Sequence, residues 1–285
     1  MDKLQKDIFN TFIDDITKIN SVCIQVGVRH TGKSLFSMSI LSYCIKNNLF
    51  DSYHLVLPTY KYQRNGTFKW IDRLNDKDQS KITIYESFSL FIIEDLIRNR
   101  KKNGNTLFMV DDATSFMELF SQNPSLRKLI VESRHLRVTT WLTTHSLKST
   151  VNRLIRQNTA YYLLHKQSNA GFLGSLWEEN LSLFVDKKEF MSMCKDKMLS
   201  QDYVCIVIDS DRSLLDCNAM TWNFIKNERE LILKSNNTVY HKKDDTQKAN
   251  KDNTIKPNPK IRSSASKFPS FKSFKIIDKN RSSIR

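Results

Sequence analysis

Eight residues at 27–34, GVRHTGKS, constrain what this chain can fold into more than any other feature. They match the spacing G-x-x-x-x-G-K-[ST] at every fixed position, with the apolar run SVCIQV (21–26) before them and the helix-favouring run KSLFSMSILSYCIK (33–46) after them. Only six glycines occur in 285 residues, and two of them, Gly27 and Gly32, stand in this loop. Glycine lets the backbone curl until successive N–H groups point inward at an anion, and a following helix aims its N-terminal dipole at the same place. Strand, glycine loop and helix in this order predict a phosphate-binding loop for a nucleoside triphosphate with Mg²⁺. The expected nucleotide-binding residues are Gly27, Val28, Arg29, His30, Thr31, Gly32, Lys33, Ser34 and Leu35. Within that set the Lys33 ammonium reaches the β- and γ-phosphates, and the Ser34 hydroxyl ligates the metal. Arg29 and His30 fill the variable positions of the loop.

The rest of the first 235 residues alternates between two periodicities. Residues 7–19 carry apolar side chains at helical spacing and predict an amphipathic opening helix. Short apolar runs at 53–57, 81–85, 106–110, 138–142, 160–165 and 203–208 predict strands. Helices are expected near 88–102, 125–135, 149–157, 187–198 and 222–233, the second of these begun by Asn123-Pro124 as cap and first-turn proline. Strands alternating with helices imply an α/β fold with a mostly parallel sheet and helices on both faces. Ligands of such sheets bind at the carboxyl ends of the strands. That rule draws in two further segments. The run TLFMVDDA (106–113) ends a buried-type strand in Asp111-Asp112, a pattern in which the first Asp holds Mg²⁺ and a second acid polarises the attacking water. Asp111 suits the first role and Asp112 the second, with Glu118 as the alternative base. The second segment is Thr144-His145, at the end of the strand after 138.

Charge and composition set the limits. The chain carries 45 Lys and Arg against 30 Asp and Glu, a net +15. Residues 236–285 hold 13 of those cations and only 4 acids, with Pro257, Pro259 and Pro269 and no sustained apolar period. Such a segment cannot offset the entropy of folding alone, so a folded domain over 1–235 and a basic, disordered tail over 236–285 are expected. Phe268, Phe271 and Phe274 leave three readings of that tail open: a non-specific phosphate neutraliser, a short docking motif for a partner protein, or a merely solvated segment. The five cysteines, Cys23, Cys44, Cys194, Cys205 and Cys217, show no C-x-x-C spacing and read as buried thiols. No apolar run reaches the length of a membrane span, and the first twenty residues are too charged for a secretory signal, so a soluble intracellular protein is expected.

A base-reading N-K-x-D or a D-x-x-G switch of the GTPase type is absent, and 235 residues cannot hold a second helicase lobe. The block at 134–169 instead offers Arg134-His135, a strand ending in Thr144-His145, and Ile155-Arg156-x-Asn158 before another strand. Together with the phosphate loop and the paired acids, this order over about 20–210 resembles the FtsK–HerA superfamily of P-loop ATPases. Within that superfamily it resembles the poxvirus-type genome packaging ATPases. The resemblance implies a RecA-like/ASCE motor core, a homo-oligomeric ring, double-stranded DNA as partner, and action in the host cytoplasm or the virion. By the same resemblance Arg134 or Arg156 is an arginine finger reaching a neighbour's nucleotide, while Thr144 and His145 face the γ-phosphate. Two departures stand out: His145 where the superfamily commonly has Gln, and Asp112 where many ATPases have Glu. The implied function is ATP-driven movement of viral DNA into a capsid. The alternatives are a cellular or plasmid DNA translocase or helicase of the same superfamily, and a nucleotide-dependent DNA-binding switch without turnover.

Overall fold

The computed structural model describes residues 3–60, 68–115, 123–146, 151–167, 170–183, 185–200, 205–210 and 219–220. The chain divides into two units, Met1–Lys242 and Lys243–Arg285, and the second lies wholly outside the described residues. So do Glu118, Cys217, the helix expected at 222–233 and the basic tail.

Strand burial explains the layering. In β4 (Thr106–Val110) all five residues are buried, as in β1 (Val22–Val26), β5 (Val138–Thr144) and β6 (Thr159–Leu164). Because side chains alternate along a strand, each strand feeds two cores. Leu107 and Met109 join Cys23, Tyr53, Leu55, Trp141, Tyr161 and Leu163 on one face of the sheet. Phe108 and Val110 join Val22, Ile24, Val26, Leu142, Tyr162 and Leu164 on the other. The first core is closed by α1 (Lys3–Lys18), through Phe9, Phe12, Ile13 and Ile16, and by α2 (Lys33–Lys46), through Phe36, Leu41, Cys44 and Ile45. The helices Leu90–Arg98, Pro124–Val131 and Lys187–Ser200 close the second. Cys23, Cys44, Cys194 and Cys205 lie buried inside these cores.

With β2 (Ser52–Val56), β3 (Ile82–Tyr85), β7 (Cys205–Asp209) and β8 (Ala219–Met220), the strand order is β3-β2-β4-β5-β1-β6-β7-β8. All pairings from β3 to β6 are parallel, while β6–β7 and β7–β8 are antiparallel. This is a P-loop NTPase sheet, with β5 inserted between the strand before the phosphate loop and the strand before the paired acids. Parallel pairing puts the ends of β1, β4, β5 and β6 on one edge, so residues 27, 111, 145 and 165 leave the sheet side by side.

The observed elements refine the expectations at their ends. β5 continues through Thr144, two residues beyond the expected stop at Leu142, because Thr143 and Thr144 keep pairing with Gln25 and Val26. The helix expected over 88–102 breaks at Asn99, and the one over 125–135 breaks at Glu132. Helix Ala170–Leu176, running into a π-helical turn at Trp177–Leu181, was not expected from the sequence. No helix among the described residues is long and apolar enough to cross a membrane.

Candidate nucleotide site

The loop between β1 and α2 is pinned at its root. Gly27 N–H donates to the Thr144 carbonyl (3.3 Å) and Val28 N–H to the Lys166 carbonyl (3.2 Å), tying it to the ends of β5 and β6. His30 (φ 63°) and Gly32 (φ 84°) turn the backbone through the left-handed region, and Gly32 caps α2 without any side-chain bond. The first N–H groups of α2 thus have no intrahelical partner and no bond from a capping side chain, which is the geometry of an anion site. Gly27 is required for a separate reason: a Cβ there would lie 2.6 Å from the Cβ of His165 and 2.9 Å from Thr31 Oγ1.

Lys33 is buried, with its ammonium donating to the carbonyls of Gly27 (2.7 Å) and Val28 (2.9 Å). His145 Nδ1 lies 3.1 Å from the same Nζ and 3.2 Å from the Gly27 carbonyl. Burial lowers the Lys33 pKa to about 8, against the opposing pull of Asp111 and Asp112, with Arg29 adding to the lowering. Lysine and histidine therefore already share the concavity of the loop.

The acids follow from β4. Asp111 N–H is held by the Val56 carbonyl (2.9 Å), and the Asp111 carboxylate accepts from Thr143 Oγ1 (2.9 Å) and from Ser34 Oγ (3.2 and 3.3 Å). Burial raises its pKa, with Asp112 adding to the rise, while the hydroxyl bonds from Thr143 and Ser34 and the Lys33 charge oppose it. A buried carboxylate next to a serine hydroxyl, with a net cost to its own charge, offers hard oxygen donors that fit a divalent cation such as Mg²⁺. Asp112 takes a left-handed backbone (φ 52°), and its N–H donates to Thr143 Oγ1 (2.8 Å). Asp and Asn tolerate that conformation better than other non-glycine residues, which gives a physical reason for Asp where many ATPases have Glu. The turn brings Asp112 Oδ1 to 3.7 Å from His145 Nε2. Thr144 stands behind them, its hydroxyl 3.3 Å from that of Thr114, whose Oγ1 also accepts from the His145 N–H (3.3 Å).

Thus Lys33, Ser34, Asp111, Asp112, Thr144 and His145 converge at one edge of the sheet, while Arg29 and His30 sit exposed on the rim of the loop. The two arginines do not join them. Arg134 precedes the start of β5, whereas His145 follows its end, a separation of roughly 20 Å at ~3.3 Å per residue. Exposed Arg134 lines a cavity of about 280 Å³ at that opposite edge, with Ser21, Ile130, Gln157 and Asn158 among its walls. Arg156 precedes β6, on the same far edge. Its guanidinium forms a fork-to-fork pair with Glu179 (2.6 and 2.9 Å) and donates to the Val151 carbonyl.

Three residues at the site carry no motif and escaped the sequence reading: Gln25, Trp141 and His165. All are buried, and together they underlie the phosphate loop. Their one signal in the sequence is polarity out of place, a Gln inside SVCIQV and a His closing AYYLLH.

No protein-family model and no curated protein matches this sequence. Among solved structures, the chain is similar to the genome packaging NTPase B204 from Sulfolobus turreted icosahedral virus 2 in complex with ATP-gammaS. That match has a TM-score of 0.52 at 15% identity and covers 68% of this chain and 94% of that one. It is likewise similar to the DNA-packaging ATPase of Sulfolobus turreted icosahedral virus, with a TM-score of 0.51 at 13% identity, covering 69% and 96%. At these identities the likeness is one of fold, and it agrees at that level with the resemblance carried by the motifs.

Proposed function

We propose that this chain is an ATP hydrolase that works as a homo-oligomeric ring and drives double-stranded viral DNA into a capsid. One observation carries the reading: a phosphate loop, a buried Lys33 and the Ser34–Asp111 pair meet where four parallel strands end, with Asp112 and His145 on the open side. Packaging is supported by two structures of similar fold that are genome packaging enzymes of viruses, together with the resemblance carried by the motifs.

In this reading residues 27–35 wrap the phosphates and Lys33 leaves the loop carbonyls for the β- and γ-oxygens. Ser34 and Asp111 hold Mg²⁺, which supplies charge neutralisation at the phosphates when bound. Asp112 orients and deprotonates water, with Glu118 as the alternative, and Thr144 and His145 hydrogen-bond the γ-phosphate or that water. Arg134 or Arg156 acts as the finger on a neighbour's nucleotide: each precedes a strand that starts at the edge opposite its own loop, about 20 Å away, and so does not reach its own nucleotide. The folded unit is assigned to 1–235 with a motor core over about 20–210, and the tail at 236–285 to electrostatic contact with DNA or docking to a capsid or portal protein.

Steady-state ATP turnover of four proteins tests the enzyme claim. Lys33→Ala and Asp111→Asn lose nucleotide binding and turnover with the fold intact. Asp112→Asn keeps binding and loses turnover by about 10²–10⁴-fold, the usual contribution of a general base. Near wild-type turnover in Lys33→Ala would refute the site.

A further inference from the structure

The contacts that Lys33 makes with the loop are those a phosphate displaces, so something else must hold the loop once nucleotide is bound. We propose that His165, acting through Gln25 and Trp141, is a positioning residue that fixes which backbone N–H groups of the phosphate loop face the nucleotide. This inference rests on the ATP-binding reading above.

The network has one consistent proton assignment. Gln25 Nε2 lies 3.0 Å from the Lys33 carbonyl and 2.7 Å from His165 Nε2, and it has one hydrogen for each. Trp141 Nε1–H donates to Gln25 Oε1 (3.1 Å), which fixes which end of the amide is nitrogen. His165 Nε2 is therefore an acceptor, and the proton sits on Nδ1, 3.1 Å from the Thr31 carbonyl that it must donate to. His165 N–H in turn donates to the Val26 carbonyl (2.9 Å), so the ring is anchored to the strand that leads into the loop. All three side chains are buried, with every polar atom named here satisfied.

The consequence follows from peptide planarity. A trans peptide points its C=O and N–H in opposite directions. Holding the Thr31 carbonyl against His165, on the core side, turns the Gly32 N–H away from the core. The Lys33 carbonyl accepts from Ser37 Oγ (3.1 Å) within the helix and from Gln25 outside it, and the two bonds together orient the Ser34 N–H in the same manner. The two amides, one at the cap of α2 and one in its first turn, are thereby aimed by groups that never meet the phosphate. The first glycine of the motif takes part as well, since a side chain at Gly27 would occupy the place of the His165 Cβ.

A purely structural role would rest on packing, since the His165 ring also meets Phe36 edge-on at 5.5 Å. Two substitutions separate the readings. His165→Phe keeps an aromatic ring against Phe36 and removes both hydrogen bonds; His165→Asn gives up the ring and retains a donor in the place of Nδ1. Two quantities are read on each folded protein: affinity for the non-hydrolysable analogue AMPPCP with Mg²⁺ by calorimetry, and hydrogen–deuterium exchange of the loop peptide without nucleotide. The expected result is affinity weakened at least tenfold and loop exchange accelerated in His165→Phe, with both partly restored in His165→Asn, which keeps a donor for the Thr31 carbonyl and gives up the acceptor for Gln25. If His165→Phe does not fold, Trp141→Phe, which keeps an aromatic ring and removes the indole donor with part of the side-chain volume, is expected to weaken affinity and speed loop exchange in the same direction. Wild-type affinity and loop exchange in the folded Phe variants, or Asn and Phe variants impaired alike, would overturn the proposal. A wild-type protein that binds no nucleotide while His165→Phe still loosens the loop would overturn the ATP reading, and the proposal with it, and would leave His165 only as a residue that holds the loop.

Discussion

Individual residues at this site are set by what surrounds them more than by their place in a motif. Asp112 occupies a backbone conformation that favours a short polar side chain, and Asp111 is a carboxylate kept by hydroxyl donors against burial. His165 is neutral in the folded protein because burial, reinforced by the Lys33 charge, lowers its pKa to about 3 from an ordinary 6.5. In the unfolded chain it takes up a proton below about 6.5, which the folded state refuses. Stability owed to this residue is therefore complete above pH 6.5 and declines as the pH falls toward 3, with a slope approaching about 1.4 kcal/mol per pH unit. Acidification from pH 7 to pH 5 is thus expected to lower the thermal midpoint of wild type more than that of His165→Asn. Equal shifts in the two proteins would show that His165 protonates freely in the folded state.

At the level of elements, the phosphate loop, its helix and the strands flanking it were legible because their residues are local signals. Glycine spacing, a lysine at a helix start and a buried run ending in two acids can be read within eight residues. What the sequence did not disclose is set by contacts between distant segments. β5 extends through Thr144 because Gln25 and Val26 pair beside it, and the helix Ala170–Leu176 with its π-turn has a mixed composition that carries no clear period. The Gln25–His165–Trp141 network joins β1, β6 and β5, positions 116 and 140 residues apart, so no window on the chain contains it. Gly27 links the two levels. Gly27→Ala is expected to destabilise the protein by about 1–3 kcal/mol, as overpacking a filled site does, because the new methyl meets His165. Chemical denaturation measures that loss, and an unchanged midpoint would mean that β1 and β6 can part without cost.

For the whole molecule, the sheet separates two chemistries by its own length. The phosphate loop and acids occupy one edge, and Arg134 stands at the other, so a subunit cannot bring its own Arg134 to its own nucleotide. Trans action makes a concrete demand on mixtures. Arg134→Ala and Lys33→Ala subunits are each expected to be inactive alone, and mixing them should restore part of the ATPase activity, because some interfaces then pair an intact site with an intact arginine. Mixtures as inactive as their components would argue that Arg134 is not the finger. The central claim, that ATP hydrolysis is coupled to double-stranded DNA, is tested most directly by the steady-state ATPase rate of the purified wild-type chain with and without long duplex DNA. The account predicts Mg²⁺-dependent turnover that rises severalfold with duplex DNA of any sequence and is absent in Lys33→Ala. A rate that duplex DNA leaves unchanged across protein concentrations, or no turnover under any of these conditions, would contradict it.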